Sequence, residues 1–200
     1  MKKPARQWAL RPVFRAHPLA TSAEWRTTVW ALFSTATHRE AWYGALDLLG
    51  HRPNDGWLDL DALPLCERLI VTGAWWDVVD EVAIRRVGPI LQRHRDAVTP
   101  VLRAWSKDAD RWRRRAAIVA QNKHREATCL VLLADVIDAN LDDPDFFIGK
   151  GIGWALREKA YTHPDRVIAF VGERRSRLST LARREALRNL WKAGRALELQ

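Results

Sequence analysis

Helical periodicity that recurs at a nearly fixed offset is the feature that most constrains the fold of this chain. Residues 112–117 (WRRRAA) align with residues 147–152 (FIGKGI) at an offset of 35. Trp42 in AWYGALDLL and Trp76 in AWWDVVDEV are offset by 34. Helical pairs that repeat about every 34 to 47 residues stack into solenoids, in which each repeat buries one face on its neighbours. The sequence therefore predicts a stacked array of helix pairs.

The positions of the prolines suit such an array, and the patterns that are missing indicate which kind of helical repeat it is. Pro89, Pro100, Pro144 and Pro164 each precede or open an apolar-periodic segment, where a helix start tolerates proline. Strand-like alternation is nearly absent, and the tetratricopeptide pattern is missing. We therefore expect an all-α, HEAT-like repeat α-solenoid of about five helix pairs. It would form a single domain over residues 1–200, with a basic concave face.

The charge of the chain points to a polyanionic partner. Lys and Arg number 33 against 24 Asp and Glu, which gives a net charge of +9. Such a surplus suits nucleic acid or an anionic membrane. No apolar stretch approaches the roughly 20 residues of a membrane span. The final basic stretch, residues 166–195, extends over a whole terminal repeat, which favours contact with phosphates.

Cysteine and histidine usage predicts neither a metal site nor a cofactor. Cys66 and Cys129 lie far apart in apolar segments, as reduced core residues of a cytoplasm-like compartment do. The six histidines are scattered, without the clustering that a metal site needs. No motif for a Ser- or Cys-based hydrolase is present, so that class has no support.

The segment that follows Thr72 carries the first candidate site residues. At about 100° per residue, Trp75, Val78, Val79 and Val82 fall on one stripe, which we expect to face the core. Trp76 and Asp80 lie to one side of that stripe, four residues apart and therefore adjacent. The structural alternative is an edge tryptophan buried by the next repeat, with Asp80 as a solvated acid.

A second candidate face lies in DFFIGKGIGWALREKAY. Trp154 projects away from the apolar stripe and shares its face with Phe147, Lys150, Arg157 and Tyr161. Aromatic and cationic side chains on one non-core face suit nucleic acid, since the first stack and the second meet phosphate.

Three glycines in five positions, Gly149, Gly151 and Gly153, indicate close approach of another backbone to this second segment. That backbone belongs either to DNA or to a neighbouring helix. Packing against a helix is the commoner cause of such glycines. In a third segment, DADRWRRRAAIVAQNKHRE, Trp112 marks the buried side, while Arg111 and Arg115 fall on a flank.

These segments together resemble a known family. WWDVVD, WRRRAAI, FFIGKGIGWALRE and LSTLARREAL are similar, in order and at matching separations, to the signature segments of the AlkD-like DNA alkylation repair family. The resemblance covers about residues 40–195 and implies a HEAT-like repeat DNA glycosylase. Such an enzyme excises cationic lesions such as 7-methylguanine and 3-methyladenine without flipping the base into a pocket.

The resemblance also implies roles for individual residues. Trp76 and Trp154 correspond to the aromatic residues that face the sugar of the damaged nucleotide, Asp80 to the catalytic acid, and Arg115 to the active-site arginine. Two departures stand out: the N-terminal helices look shortened relative to the family, and Gly151 stands where alanine is more frequent. The residues expected to contact DNA are Arg115, Lys150, Phe147, Arg157 and Arg111.

The resulting hypothesis is a monofunctional DNA N-glycosylase with duplex DNA containing alkylated bases as its partner. We expect a monomer without an obligate protein partner, a membrane or a cofactor, located in the cytoplasm and associated with the nucleoid if the source is bacterial. The alternative is a non-catalytic DNA- or RNA-binding protein on the same scaffold. A third possibility is a HEAT-like scaffold for protein partners.

Overall fold

The computed structural model describes residues 3–199, and all regular structure in that range is helical. The α-helices are α1 (Lys3–Ala16), α2 (Ser22–Ser34), α3 (Arg39–Leu49), α4 (Leu63–Gly73), α5 (Trp76–Val82), α6 (Gly88–Arg93), α7 (Arg95–Trp105), α8 (Arg111–Val119), α9 (Leu130–Asp138), α10 (Phe146–Ala160), α11 (Pro164–Glu173) and α12 (Thr180–Lys192). A π-helical turn (Ala83–Val87) joins α5 to α6. Short 3-10 turns occupy Arg52–Trp57, Leu60–Ala62, Arg125–Ala127 and Leu197–Leu199.

The helices stack as a solenoid. Helices α3, α5, α8, α10 and α12 each contact the next and form one continuous layer, which we call the first layer. Most other helices pack against members of this layer: α1 and α2 against α3, α4 against α5, α7 and α9 against α8, and α11 against α10 and α12. Helix α6 packs against α7 and the π-helical turn. This arrangement confirms the all-helical repeat fold that the periodicity predicts.

Some hydrogen bonds between repeats join residues that are separated by the same number of positions as the sequence repeat. The Asn140 side-chain amide donates to the Ser106 carbonyl at 2.8 Å, and Lys159 Nζ donates to the Arg125 carbonyl at 2.8 Å. Both pairs are 34 residues apart. Each repeat thus supplies polar side chains that satisfy backbone groups of its neighbour, which buried backbone requires.

Aspartate caps fix the starts of two first-layer helices. The Asp110 carboxylate accepts hydrogen bonds from the N–H groups of Trp112 and Arg113, which begins α8. The Asp145 carboxylate accepts from Phe147 at 2.7 Å and from the next residue, which begins α10. Such caps satisfy donors that the helix itself cannot pair.

The core of α5 matches the prediction except at one end. Val78, Val79 and Val82 are fully buried. Trp75 was expected in the same stripe but is 40% exposed. It is the extended N-cap residue of α5 and not part of the helix, so the helical rotation that placed it on the core face does not apply to it.

The proline positions match helix starts in two cases of four. Pro164 lies in the first turn of α11, and Pro144 directly precedes the Asp145 cap of α10. Pro89 lies within a continuous helical run, because α5, the π-helical turn and α6 follow one another without a break and Val87 before α6 is itself helical. Pro100 lies inside α7, which already begins at Arg95. The reading of Pro100 as a helix start is therefore wrong, and α7 forgoes the hydrogen bond that Pro100 cannot donate.

The glycines of α10 allow close packing of helices. A Cβ on Gly153 would lie 2.4 Å from Cβ of Glu185 and 2.8 Å from the Ala182 carbonyl oxygen, both on α12. Gly149 faces Ser179, the cap residue of the same helix. For Gly153 the backbone that approaches belongs to the neighbouring helix, whereas Gly149 meets side chains at the start of that helix.

Gly153→Ala is expected to lower the free energy of unfolding by about 1–3 kcal/mol, the usual cost of overpacking a close contact. Gly172→Ala in α11 is the matched control, since the nearest atom to its Cβ would lie 4.0 Å away. The control should be neutral or stabilising because alanine has the higher helix propensity. Urea denaturation of both variants measures the difference, and equal stability of the two would contradict this packing argument.

Candidate functional site

The centre of the candidate site is a buried ion pair between α5 and α8. Arg115 Nε donates to one Asp80 carboxylate oxygen at 2.9 Å, and Arg115 Nη2 donates to the other at 2.8 Å. Asp80 is 8% exposed and Arg115 is 5% exposed. Two parallel N–H···O bonds of this kind fix the plane of the carboxylate as well as its position. The sequence placed Arg115 on a flank of α8, but the structure buries it.

Burial and Arg115 act on the Asp80 carboxyl in opposite directions. Burial raises the pKa of Asp80, because it disfavours the charged form. The Arg115 hydrogen bonds and charge lower it, but they offset the effect of burial only in part. Each carboxylate oxygen has about two acceptor positions, so one on each oxygen remains available beside the bond from Arg115.

Arg115 also connects the pair to α10. Its Nη1 donates to the Phe147 carbonyl at 2.5 Å. A Cβ on Gly151 would lie 3.3 Å from the same Nη1 atom, so the glycine leaves room for the guanidinium. One arginine thereby sets the positions of α5, α8 and α10 relative to one another.

Trp76 is exposed beside this pair. It is the first residue of α5, one turn before Asp80, so the two side chains lie on the same side of the helix. Trp76 is 45% exposed, and among residues 3–199 its indole makes no hydrogen bond or ring contact. The alternative of a buried edge tryptophan beside a solvated acid is wrong on both counts, because Trp76 is exposed and Asp80 is buried.

Trp154 lies on α10, on the other side of α8 from Trp76 in the first layer. Its ring is half-buried, and its Nε1 donates to Glu158 at 3.1 Å. Asp80 and Arg115 are in direct contact. Trp76 on α5 and Trp154 on α10 lie on the two helices that flank α8.

Phe147 and Arg111 belong to an aromatic cluster at the starts of α5, α8 and α10. The Phe147 ring lies 5.0 Å from Trp112 and 5.7 Å from Trp75, centroid to centroid. Arg111 stacks over Trp112 at 5.0 Å and pairs with Asp145 at 3.1 Å. Phe147 is half-buried by these contacts, so it presents less surface than its position on the predicted face suggested.

Lys150 and Arg157 share one carboxylate. Glu185 on α12 accepts from Lys150 Nζ at 2.7 Å and from an Arg157 guanidinium nitrogen. These hydrogen bonds hold the pKa of Glu185 below its usual range, although burial opposes them. Sequence reasoning missed Glu185 as a functional neighbour. The available signal was the repeat offset, since Glu185 follows Lys150 by 35 residues.

Other chemistries find little support in residues 3–199. No group of three or more His, Cys, Asp or Glu side chains is placed to hold a metal ion there. Burial raises the pKa of the Cys66 thiol to about 12, so it stays protonated and is no nucleophile. In the same range, no helix has both the length and the apolar character needed to cross a membrane.

Comparison with known proteins assigns the chain to a family. The family model described as DNA alkylation repair enzyme matches residues 1–190. The chain belongs to the DNA alkylation repair enzyme family. Members of this family act on DNA, so a role in DNA repair follows from the match.

A solved structure supports the DNA alkylation repair fold. The chain is similar to the predicted DNA alkylation repair enzyme from Enterococcus faecalis, with a TM-score of 0.84 and 28% sequence identity. The match covers 96% of this chain and 87% of that one. No curated protein matches the sequence.

Removing Arg115 alone should destabilise the protein more than removing both members of the pair. Arg115→Met leaves Asp80 buried without its partner, which typically costs about 3–5 kcal/mol. Asp80→Leu combined with Arg115→Met replaces the pair with apolar groups and should recover most of that loss. Urea denaturation of both measures this, with Arg103→Met as control, because Arg103 pairs with Asp135 and both side chains are exposed. A double variant less stable than Arg115→Met would contradict the expectation.

Proposed function

We propose that this protein is a monofunctional DNA glycosylase that excises cationic alkylated purines, such as 7-methylguanine and 3-methyladenine, from duplex DNA without flipping the base. The observation that carries the proposal is the Asp80 carboxylate, oriented by Arg115 beside the exposed indole of Trp76. A carboxylate with acceptor positions left next to an open aromatic face is suited to stabilising a cation that forms outside the protein core.

The chemistry of the lesion fits this arrangement. An N3- or N7-alkylated purine carries a positive charge that weakens its glycosidic bond, and it leaves as a neutral base. No general acid is then required, and the task is to stabilise an oxocarbenium-like sugar and to admit water. Asp80 would supply the negative charge and orient the water, while Trp76 and Trp154 would supply cation–π contact, each worth about 0.5–2 kcal/mol.

The electrostatic contribution of Asp80 can be bounded. At an effective dielectric of about 20, two unit charges about 4 Å apart interact by about 4 kcal/mol, nearly three decades in rate. Arg115 neutralises part of the carboxylate charge, so the gain from the pair is smaller than this figure. In exchange Arg115 favours the ionised form and holds it in one orientation. We infer that Arg115 acts through Asp80, as a positioning residue.

Binding of DNA would use cations that are paired with carboxylates in the free protein. Lys150 and Arg111 are 38% and 47% exposed in their side chains, and exposed pairs of this kind are worth little. A backbone phosphate can therefore replace the Glu185 or Asp145 carboxylate as partner at small cost. We expect the protein to act as a monomer and without a cofactor, on the DNA of the cytoplasm or nucleoid.

A non-catalytic DNA-binding role on the same scaffold is the second candidate. It is favoured by the burial of Asp80, which limits how closely a sugar can approach the carboxylate. Direct measurement of base release separates the two candidates.

Asp80→Asn should reduce release of 7-methylguanine from a methylated duplex by about one to three decades, since the amide carries no charge to stabilise the sugar. Asp143→Asn is the matched control, because it removes a carboxylate that pairs with the neighbouring Arg114 of α8. The measurement is single-turnover release of free base. Equal release by wild type and Asp80→Asn, or uracil released as fast as 7-methylguanine, would sink the proposal.

The rate of base release should fall on acidification with a midpoint above that of an exposed aspartate. Burial raises the pKa of Asp80, so its ionised form is lost earlier as the pH falls. The measurement is the enzymatic rate across acidic pH after subtraction of spontaneous base loss, with DNA binding followed in parallel. A rate that stays constant down to about pH 4, near the reference pKa of aspartate, would contradict this assignment.

A further inference from the structure

A cavity of about 380 Å³ lies beside the candidate site, and nothing in the proposed chemistry uses it. It is lined by the segment that follows α8, including Asn122, Lys123 and Arg125, and by the C-terminal part of α10, including Glu158 and Lys159. Its edge is therefore one turn along α10 from Trp154, whose indole donates to Glu158. We call it the α8–α10 cavity.

The α8–α10 cavity contains a buried donor without a partner. Asn122 is 7% exposed, and its side-chain nitrogen has no hydrogen-bond partner among the described residues. Buried polar side chains are nearly always paired, so an unpaired one that lines a cavity indicates a ligand acceptor. Lys159 is 3% exposed, and its Nζ donates to the Arg125 carbonyl, which leaves two further N–H donors.

The cations at this cavity lack carboxylate partners, unlike those of the predicted DNA-binding set. Lys150, Arg157 and Arg111 each pair with Glu185 or Asp145. In the described part of the chain, no salt bridge is formed by Lys123, Arg125 or Lys159.

The one carboxylate that lines the cavity is Glu158, and one of its oxygens is engaged by the Trp154 indole. Three cations and an unpaired amide donor line the cavity with a single carboxylate, while Glu126 lies outside the lining but acts electrostatically on Lys159. The balance of charge suits an anion with several acceptor oxygens. A phosphate group has this chemistry.

We propose that the α8–α10 cavity binds a phosphate group, and that this group belongs to the DNA strand whose sugar faces Trp154. The second half of the statement rests on the proposed function. One helical turn is about 5.4 Å and one nucleotide rises about 3.4 Å, so the phosphate lies within one or two nucleotides of that sugar. Contact there would set the register of the strand against Asp80 without reading any base.

The test uses the salt dependence of binding to an undamaged duplex. Lys123→Gln combined with Arg125→Gln removes two exposed, unpaired cations of the cavity. Loss of one phosphate contact should make the slope of log K against log salt shallower by about 0.9. The control, Arg68→Gln combined with Arg103→Gln, removes equal charge from α4 and α7, outside the first layer. Equal slopes for the two double variants would overturn the proposal.

Inorganic phosphate separates the two sources of the ligand. If the cavity binds strand phosphate, the salt slope changes in the cavity variant and not in the control. Any rise in the melting temperature that inorganic phosphate causes should likewise be lost in the cavity variant alone. A phosphate-dependent rise without a change of slope would mean a free anion site and would overturn the assignment to DNA.

The outcome is independent of catalysis because the duplex carries no lesion. A changed slope in a protein that releases no base would leave the cavity assignment standing while the glycosylase proposal fails.

Discussion

The buried pair of Asp80 and Arg115 is the interaction on which both the site and its surroundings depend. A carboxylate with so little exposure could not stay ionised alone, since desolvation would favour its neutral form. Arg115 offsets part of that cost, and a third N–H of its guanidinium donates to the Phe147 carbonyl. The same guanidinium therefore joins three successive first-layer helices. Any change that moves one of these repeats also moves the carboxylate.

Charge pairing between neighbouring repeats recurs along the first layer and gives the cations that we propose for DNA binding a carboxylate partner in the free protein. Lys150 and Arg157 share Glu185, and Arg111 holds Asp145, the residue that caps α10. These pairs limit self-repulsion in a chain of net charge +9. If these cations bind DNA as proposed, breaking the pairs costs little free energy where the side chains are exposed. The cavity at the end of α10 differs because its cations have no such partner to exchange.

The fold could be predicted because periodicity reports which faces are apolar. Val78, Val79 and Val82 are buried as the helical stripe predicts, whereas Trp75 is not, because the helix begins one residue after it. The state of Asp80 and Arg115 could not be read from either helix alone. Whether a polar face meets solvent or a neighbouring repeat depends on packing between helices. The repeat offset held that information: Arg115 follows Asp80 by 35 residues, as Glu185 follows Lys150.

An open site of this composition implies a particular kind of selectivity. Trp76 is exposed, and one turn further along its helix lies a recessed carboxylate whose orientation Arg115 fixes. If the proposed function holds, these groups interact with the sugar and not with the base, so the shape of the base contributes little discrimination. What distinguishes substrates is then the charge already present on the lesion, because a neutral base still needs a proton to leave. Selectivity of this site would then arise from the charge of the leaving base. The contribution of the protein would be to stabilise the cationic sugar that forms as the base departs.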